Sequence, residues 1–372
     1  MPPPARRLRI AFYAPLKAPT HPVPSGDRLM AQLLMRALAL AGHQVDLASD
    51  LRSYLGDSQD VAGWQQLRAQ AAVEAERIGT QWHRQGRPDL WLCYHPYYKS
   101  PDLIGPDLAQ RFALPYVTAE ASLSARRNIG IWAEMQAHVL AAVQQASLNL
   151  CLTARDMSGL QDASPTAHLI RFPPFIEPEA FTAPATPQPG HLVTVAMMRS
   201  GDKTDSYRRL AATLALLPPE LHWHLSVVGD GPQRAEVQAM FADLPVGRIT
   251  WAGQLSRPEI AKLLAQAAIY VWPGCGEAYG LAYLEAQAAG VPVIAQRTAG
   301  VPEVVADGET GFLNQPGDDA AAAAAITLLL GNPALQAQMG QAARRRALGD
   351  HALAGAAQRL NTLLQKIVEA KP

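Results

Sequence analysis

Cysteine is scarce in this chain. Cys93, Cys151 and Cys275 are odd in number, far apart and free of any C-x-x-C spacing, which excludes a disulfide framework and a structural zinc site and fits a reducing cytoplasm. Charge of one sign is missing too. Charged residues make up 17% and the formal net charge is zero, with no strong asymmetry between the halves, so nucleic acid is not an expected partner. No run of 18 apolar residues occurs, and M-P-P-P-A-R-R-L-R lacks the apolar centre of a secretory leader; the expectation is no membrane span, and at most peripheral contact at the inner face of the membrane. There is no D-x-D triplet, and the ten histidines form no ligand spacing, so no metal or other cofactor is expected. Lysine is rare, with six against 26 arginines, which makes each lysine's position informative.

What is present is a globular balance, 49% apolar over 372 residues, in a chain longer than one hydrophobic core usually supports. Short apolar runs alternate with amphipathic stretches. Strands are predicted at Leu8–Ala14, Gln44–Ala48, Asp89–Tyr94, Pro115–Ala119 and Leu148–Thr153, with helices between them, including one from Ser25 and Gly26 to about Ala41. The segment Thr182–His191, with three prolines and no periodicity, reads as a linker. Beyond it the alternation restarts with strands Leu192–Met197, Trp223–Val228, Ile249–Ala252, Ile269–Trp272 and Val291–Ala295, and with helices that include Ser206–Leu216. The pattern predicts an α/β protein with two Rossmann-like, doubly wound parallel-sheet domains, 1–181 and 192–350, on either side of the linker 182–191.

The run W-P-G-C-G-E-A-Y-G-L-A-Y-L-E from Trp272 places Glu277 in a Gly/Pro-rich loop and Glu285 eight residues later in a helical stretch. Were most of that interval helical, the carboxylates would stand roughly 12 Å apart along the axis. Glycosidase acid pairs are roughly 5–9.5 Å apart; the longer separation matches a sugar diphosphate better. Two glutamates on one helix are commonplace, but here a strand, a Gly/Pro turn bearing an acid, a helix and a returning strand follow in order. Ligands of open α/β sheets bind outside the carboxyl ends of the strands. Arg199 and Lys203, in M-M-R-S-G-D-K-T-D-S-Y-R, follow the strand Leu192–Met197 and so share the sheet edge with Glu277.

The segment from Trp272 through A-G-V-P-E-V-V-A-D-G-E-T-G to Gly311, and more weakly Val193–Leu364, resembles the donor-binding part of retaining, nucleotide-sugar-dependent glycosyltransferases of the two-domain GT-B fold, family four. The resemblance implies that two domains face a cleft and that the terminal segment 351–372 is a helix crossing back onto the first domain, with Leu353, Leu360, Leu363, Leu364 and Ile367 packing there. It also implies that Arg199 and Lys203 clamp the donor diphosphate, though they are four apart where the common spacing is five. Glu277 would contact the donor sugar and Glu285 the ribose. Backbone groups of Ala278, Tyr279, Gly280 and Leu281 would meet the phosphates at a helix N-terminus, and the turns at Gly229 and at Gly253, Gln254 and Leu255 would meet the base. Gly26 takes the place of the family's glycine-rich loop. His95 and Glu120, each ending a first-domain strand, are acceptor-side candidates; relatives have histidine near position 120, where this chain has T-A-E-A-S.

The implied activity is metal-independent transfer of a hexose-type sugar from a nucleoside-diphosphate donor to a hydroxyl of a sugar, glycan or lipid-linked acceptor. A sugar-nucleotide 2-epimerase on the same architecture and a non-catalytic nucleotide-sugar-binding subunit are the alternatives. The epimerase would need acid/base groups from the first domain, for which His95 and Glu120 are the candidates.

Overall fold

The computed structural model describes residues 6–370. The chain divides into two compact units: one runs to Pro173 and resumes at Leu353, and the other is Pro174–Ala352. Each is built on a six-stranded parallel sheet.

The strands of the first unit are β1 (Arg9–Tyr13), β2 (Gln44–Ser49), β3 (Leu90–Tyr94), β4 (Tyr116–Ala119), β5 (Leu148–Cys151) and β6 (Leu169–Arg171), in the order β2-β1-β3-β4-β5-β6. All five residues of β3, LWLCY, are buried, as expected where helices cover both faces of a parallel sheet. The helix Leu353–Glu369 belongs to this unit and packs against the helix Gly26–Leu40, burying Leu353, Ala356, Ala357, Leu360 and Leu364.

The second unit contains β7 (His191–Val195), β8 (His224–Val228), β9 (Ile249–Gly253), β10 (Ile269–Val271), β11 (Val293–Gln296) and β12 (Gly311–Asn314), ordered β12-β11-β10-β7-β8-β9. Counted from its own first strand this is the 3-2-1-4-5-6 order of dinucleotide-binding sheets, whose direction reverses between β7 and β10. Loops leaving the carboxyl ends of those two strands therefore diverge and leave a crevice. In the first unit the equivalent reversal lies between β1 and β3.

The doubly wound parallel fold matches the expectation, but several details differ. Residues 182–191 are not a free connection. Thr186 N–H donates to Ala265 O (2.7 Å) and Gln188 N–H to Gln266 O (2.9 Å), inside the second unit. That unit begins at Pro174, where Phe175 and Ile176 are buried and Ile176 N–H bonds His351 O at 2.8 Å. The helix expected from Ser206 starts at Asp202, so Lys203 stands in its first turn rather than in a loop. The helix carrying Glu285 spans only Leu281–Ala288, so half of the Glu277–Glu285 interval is loop. Among the described residues no single helix is long and apolar enough to cross a membrane.

The turn after β8 is held by backbone approach. Gly229 has φ +140°, and a Cβ built on it would sit 1.8 Å from Ala196 O, at the end of β7. Neither atom belongs to a flexible side chain, so Gly229→Ala is expected to destabilise the second unit by about 2–4 kcal/mol. Gly349 is exposed in a helix with nothing near its Cβ position, and Gly349→Ala should stabilise by about 0.5–1 kcal/mol. Denaturant unfolding of the two variants checks the pair; equal stabilities would contradict the close approach.

Candidate functional site

The reversal of the second sheet gathers residues from both of its diverging loops. From β7 come Arg199, half-buried, and Lys203. Their loop is fixed by Met198, whose N–H donates to Asp230 O and whose carbonyl accepts from Gln233 N–H, each at 3.0 Å. From β10 comes the loop 272–280 with Glu277. Lys203 Nζ lies 2.5 Å from Glu277 Oε2 and 5.5 Å from the centroid of the Trp272 ring. Two side chains 74 positions apart in sequence thus form one ion pair at the sheet edge, with 32% and 21% of their side-chain surface exposed.

The helix and loop that carry this pair are fastened to each other. Ser206 Oγ accepts from Cys275 N–H (2.9 Å) and donates to Asp202 O (2.7 Å). Glu277 N–H closes a turn on Gly274 O at 2.9 Å. Tyr283, fully buried, donates its hydroxyl to Trp272 O at 3.0 Å, and its ring fills the space that a side chain at Gly280 would need. Gly280 has φ +78°, and a Cβ there would fall 2.4 Å from the Tyr283 ring and 3.2 Å from Glu277 Cγ. Ala278 O accepts from Gly300 N–H at 2.6 Å. Ala278 is exposed, Tyr279 and Gly280 are buried, and Leu281 opens the helix. Cys275 is a passive member: burial raises its thiol above the ordinary range, and its sulfur sits 3.7 Å from Gln296 Oε1.

Glu285 belongs to a neighbouring group. Burial pushes its carboxyl up to about 7, against the opposing pull of Arg257, whose Nε lies 3.7 Å from Glu285 Oε1. Arg257 is held by Glu177, through Nη1 to Oε2 (3.0 Å) and Nη2 to the carbonyl (2.6 Å), and its guanidinium lies 5.1 Å over the Phe181 ring. This brings Glu285 near the first residue of the helix Arg257–Ala265, which follows the turn Gly253, Gln254 and Leu255. Gly253 O in turn accepts from Gly229 N–H at 2.8 Å, so both glycine turns lie side by side. Sequence reasoning missed Arg257 and Glu177. The S-R-P-E capping box marked a helix start but gave no sign that its arginine turns toward Glu285.

In the first unit Gly26 opens a helix with Ser25 Oγ accepting from Arg28 N–H (3.2 Å), and no atom lies within 4 Å of the position of its missing Cβ. Next to it, Asp27 Oδ1 lies 3.0 Å from His95 Nδ1. His95 and Glu120 extend adjacent strands, His95 N–H donating to Ala119 O and Glu120 N–H to Leu150 O, each at 2.8 Å. Both have positive φ, 56° and 59°, a conformation that costs of order 1–3 kcal/mol and gathers at functional sites. Burial pulls His95 down, yet Glu120 and Asp27 outweigh it and lift the ring to about 9. Burial raises Glu120 to about 7 while His95 opposes it. Among the described residues no group of three or more His, Cys, Asp or Glu side chains is arranged to hold a metal ion.

The model of the family described as glycosyl transferases group 1 matches residues 192–346. The D-inositol 3-phosphate glycosyltransferase of Streptomyces avermitilis is 30% identical over 313 residues, covering 76% of this chain and 66% of that protein. The first curated relatives share only 24% to 66% of their own length with this chain. Among solved structures, sucrose-phosphate synthase from Thermosynechococcus elongatus superposes with a TM-score of 0.75 at 21% identity, covering 98% of this chain and 100% of that one. Anabaena Alr3699/HepE in complex with UDP-glucose does so with a TM-score of 0.72 at 16% identity, covering 97% and 100%. These two likenesses are of fold.

Proposed function

We infer that this chain, a member of the glycosyl transferases group 1 with the two-domain GT-B fold, transfers a sugar from a nucleoside-diphosphate donor to an acceptor hydroxyl with retention at the anomeric carbon. The observation that carries the reading is the Lys203–Glu277 pair at the reversal of the second sheet, with Arg199 in the loop that leads from β7 to Lys203. A sugar diphosphate seated there meets cations at its phosphates and a carboxylate at its sugar. Lys203 exchanges Glu277 for a phosphate oxygen, and Glu277 is released to accept from sugar hydroxyls. Glu285 accepts from the ribose diol. As the anomeric C–O bond breaks, charge grows on the leaving phosphate, and fixed cations stabilise it more in the transition state than in the ground state. The acceptor oxygen attacks from the same face, and its proton passes to the departing phosphate.

A thermal-shift screen of nucleoside diphosphates and their sugars identifies the donor; a ligand at a hundred times its Kd adds about 2.7 kcal/mol of stability. The selected donor, labelled in its sugar, is then incubated with the protein. Transfer or slow hydrolysis supports the reading. The Asp27–His95–Glu120 cluster is also what a sugar-nucleotide 2-epimerase would need, so the recovered sugar is analysed for inversion at C2, which would favour that reading instead. Binding without any turnover would point to a non-catalytic subunit.

Because Arg199 and Lys203 do the work of a divalent cation at the phosphates, activity is expected to survive EDTA. Complete loss restored by magnesium or manganese would contradict this arrangement of the donor.

A further inference from the structure

Glu285, the carboxylate that meets the ribose in the donor reading, sits beside a cation that is itself fastened from behind. Only 13% of the Glu285 side chain is exposed, and Arg257 Nε lies 3.7 Å from its Oε1. That separation makes an ion pair rather than a hydrogen bond, and Arg257 Nε is buried without a hydrogen-bond partner. The rest of the guanidinium is committed. Nη1 donates to Glu177 Oε2 (3.0 Å) and Nη2 to Glu177 O (2.6 Å), and Cζ lies 5.1 Å from the centroid of the Phe181 ring. A guanidinium is a rigid planar fork, so these contacts fix where its Nε edge points. All four residues belong to the second unit.

The other charged groups on the elements around Glu285 are engaged or exposed. In the helix Arg257–Ala265, Glu259 accepts from Ser256 N–H (2.7 Å) and Lys262 is exposed. In the helix Pro333–Asp350, Arg344 donates to the carbonyls of Thr182 and Ala288 and Arg346 to that of Glu303, while Arg345 and Asp350 are exposed. Glu179, in the 3-10 turn with Phe181, is exposed as well. Burial raises the Tyr270 phenol of β10, and the charges of Glu277 and Glu285 add to this, so it stays neutral. Among the described residues Arg257 is thus the one cation paired with Glu285. A buried carboxylate takes up a proton unless an opposite charge favours its ionised form, and such a charge within about 4–6 Å lowers its pKa by about 1–3 units. Only the ionised form accepts from both hydroxyls of a ribose diol.

We propose that Arg257 is a positioning residue for the donor: anchored on Glu177 and Phe181, it fixes the charge and the orientation of the Glu285 carboxylate that accepts from the ribose. The proposal rests on the donor reading and deepens it, because Arg257 acts through Glu285 and touches no part of the donor itself. Its signature is therefore the pH dependence of donor affinity, which a merely structural contact would leave in place.

The sugar nucleotide chosen by the thermal-shift screen is titrated calorimetrically between pH 6 and pH 9 into the full chain, Arg257→Gln, Arg257→Lys, Glu285→Gln and Arg257→Gln/Glu285→Gln. Where Arg257→Gln does not fold, Arg257→Met, which keeps an unbranched stem over Phe181, takes its place in both backgrounds. In Arg257→Gln the midpoint of the affinity profile should move up by about one pH unit or more, with affinity about fivefold lower at pH 7 and converging on the unmodified protein toward pH 9. Arg257→Lys, which keeps the charge, should recover at least half of that shift. Adding Arg257→Gln to Glu285→Gln should change affinity by less than about twofold, since no carboxylate is left to position. A midpoint that stays in place overturns the proposal, as does an equal loss in both backgrounds, which would mean that Arg257 meets the donor directly or only supports the fold. The donor reading fails differently: the unmodified protein binds no sugar nucleotide, or Glu285→Gln binds it as well as the unmodified protein does, and the proposal falls with it. If Glu285→Gln is weak and the Arg257 variants keep the original midpoint, the proposal falls alone.

Discussion

Alanine at both Arg199 and Lys203 is expected to lower kcat/KM by about a hundredfold or more, with nucleotide affinity falling much less. A hydrogen bond to a charged group contributes roughly 1.5–3 kcal/mol, and each 1.36 kcal/mol on the barrier is about tenfold in rate. Each single substitution should therefore cost about one to two orders of magnitude. The loss concentrates in turnover because the leaving phosphate carries most charge in the transition state. Lys203 adds a signature of its own, since it holds Glu277 at 2.5 Å before any donor arrives. Removing Lys203 strands that carboxylate beside the incoming phosphates, so Lys203→Ala should be worse than the double variant Lys203→Ala/Glu277→Ala at the donor-binding step. A double-mutant cycle in donor Kd, with folded variants of matched Tm, measures this coupling. Lys203→Arg should rescue only partly, because a planar fork does not reproduce a compact ammonium. Turnover of Arg199→Ala/Lys203→Ala within threefold of the unmodified protein would mean that other groups stabilise the leaving phosphate.

The parts of this site that were legible in the sequence are those fixed by local chemistry. The Gly/Pro turn after β10 announced a strand end, so Glu277 could be placed at the carboxyl edge of a sheet before any fold was known. Lys203 was harder. Ser206 looked like the residue that starts a helix, yet its hydroxyl donates backward to Asp202 O and receives Cys275 N–H. The helix actually begins after Gly201, whose φ of 84° supplies the turn and which offers no side-chain cap to recognise. The outer strands β6 and β12 escaped notice because runs of three half-buried residues and of four alternating buried and half-buried residues are too short to carry a periodic signal. Partnerships across the sheet were invisible for a different reason. Asp27 with His95 and Arg257 with Glu177 join residues 68 and 80 positions apart, and no local pattern records which charged side chain a distant loop will meet. The positive φ of His95 and Glu120 is equally unreadable, since neither residue type demands it.

Donor binding should depend on pH through Glu285, and the direction follows from its burial. Its carboxyl is raised from 4.5 to about 7, so near neutrality about half the molecules carry it protonated. Only the ionised form accepts from both ribose hydroxyls, so affinity should rise as pH increases through about 7 and level off above 8. Between pH 8 and pH 6 the loss should approach, and not exceed, about tenfold. The ligand should be the nucleoside-diphosphate sugar, because phosphate monoesters titrate near pH 6 themselves and the sugar ester removes that ionisation. Stability carries the opposite sign. A carboxyl whose folded value is raised favours the folded state while protonated, and that contribution is lost as pH rises from about 4.5 through about 7. Glu285→Gln, which cannot ionise, should therefore melt higher than the unmodified protein at pH 8 without ligand, by on the order of 1–3 kcal/mol. Arg257 retains Glu177 in this variant. The same variant should bind the donor more weakly at pH 8 and show no pH dependence between 6 and 8. Calorimetric titration and thermal unfolding at the two pH values measure both halves. A variant that keeps both the affinity and the pH profile would remove Glu285 from the donor site, and one that loses affinity and stability together would mark it as a structural acid held by Arg257.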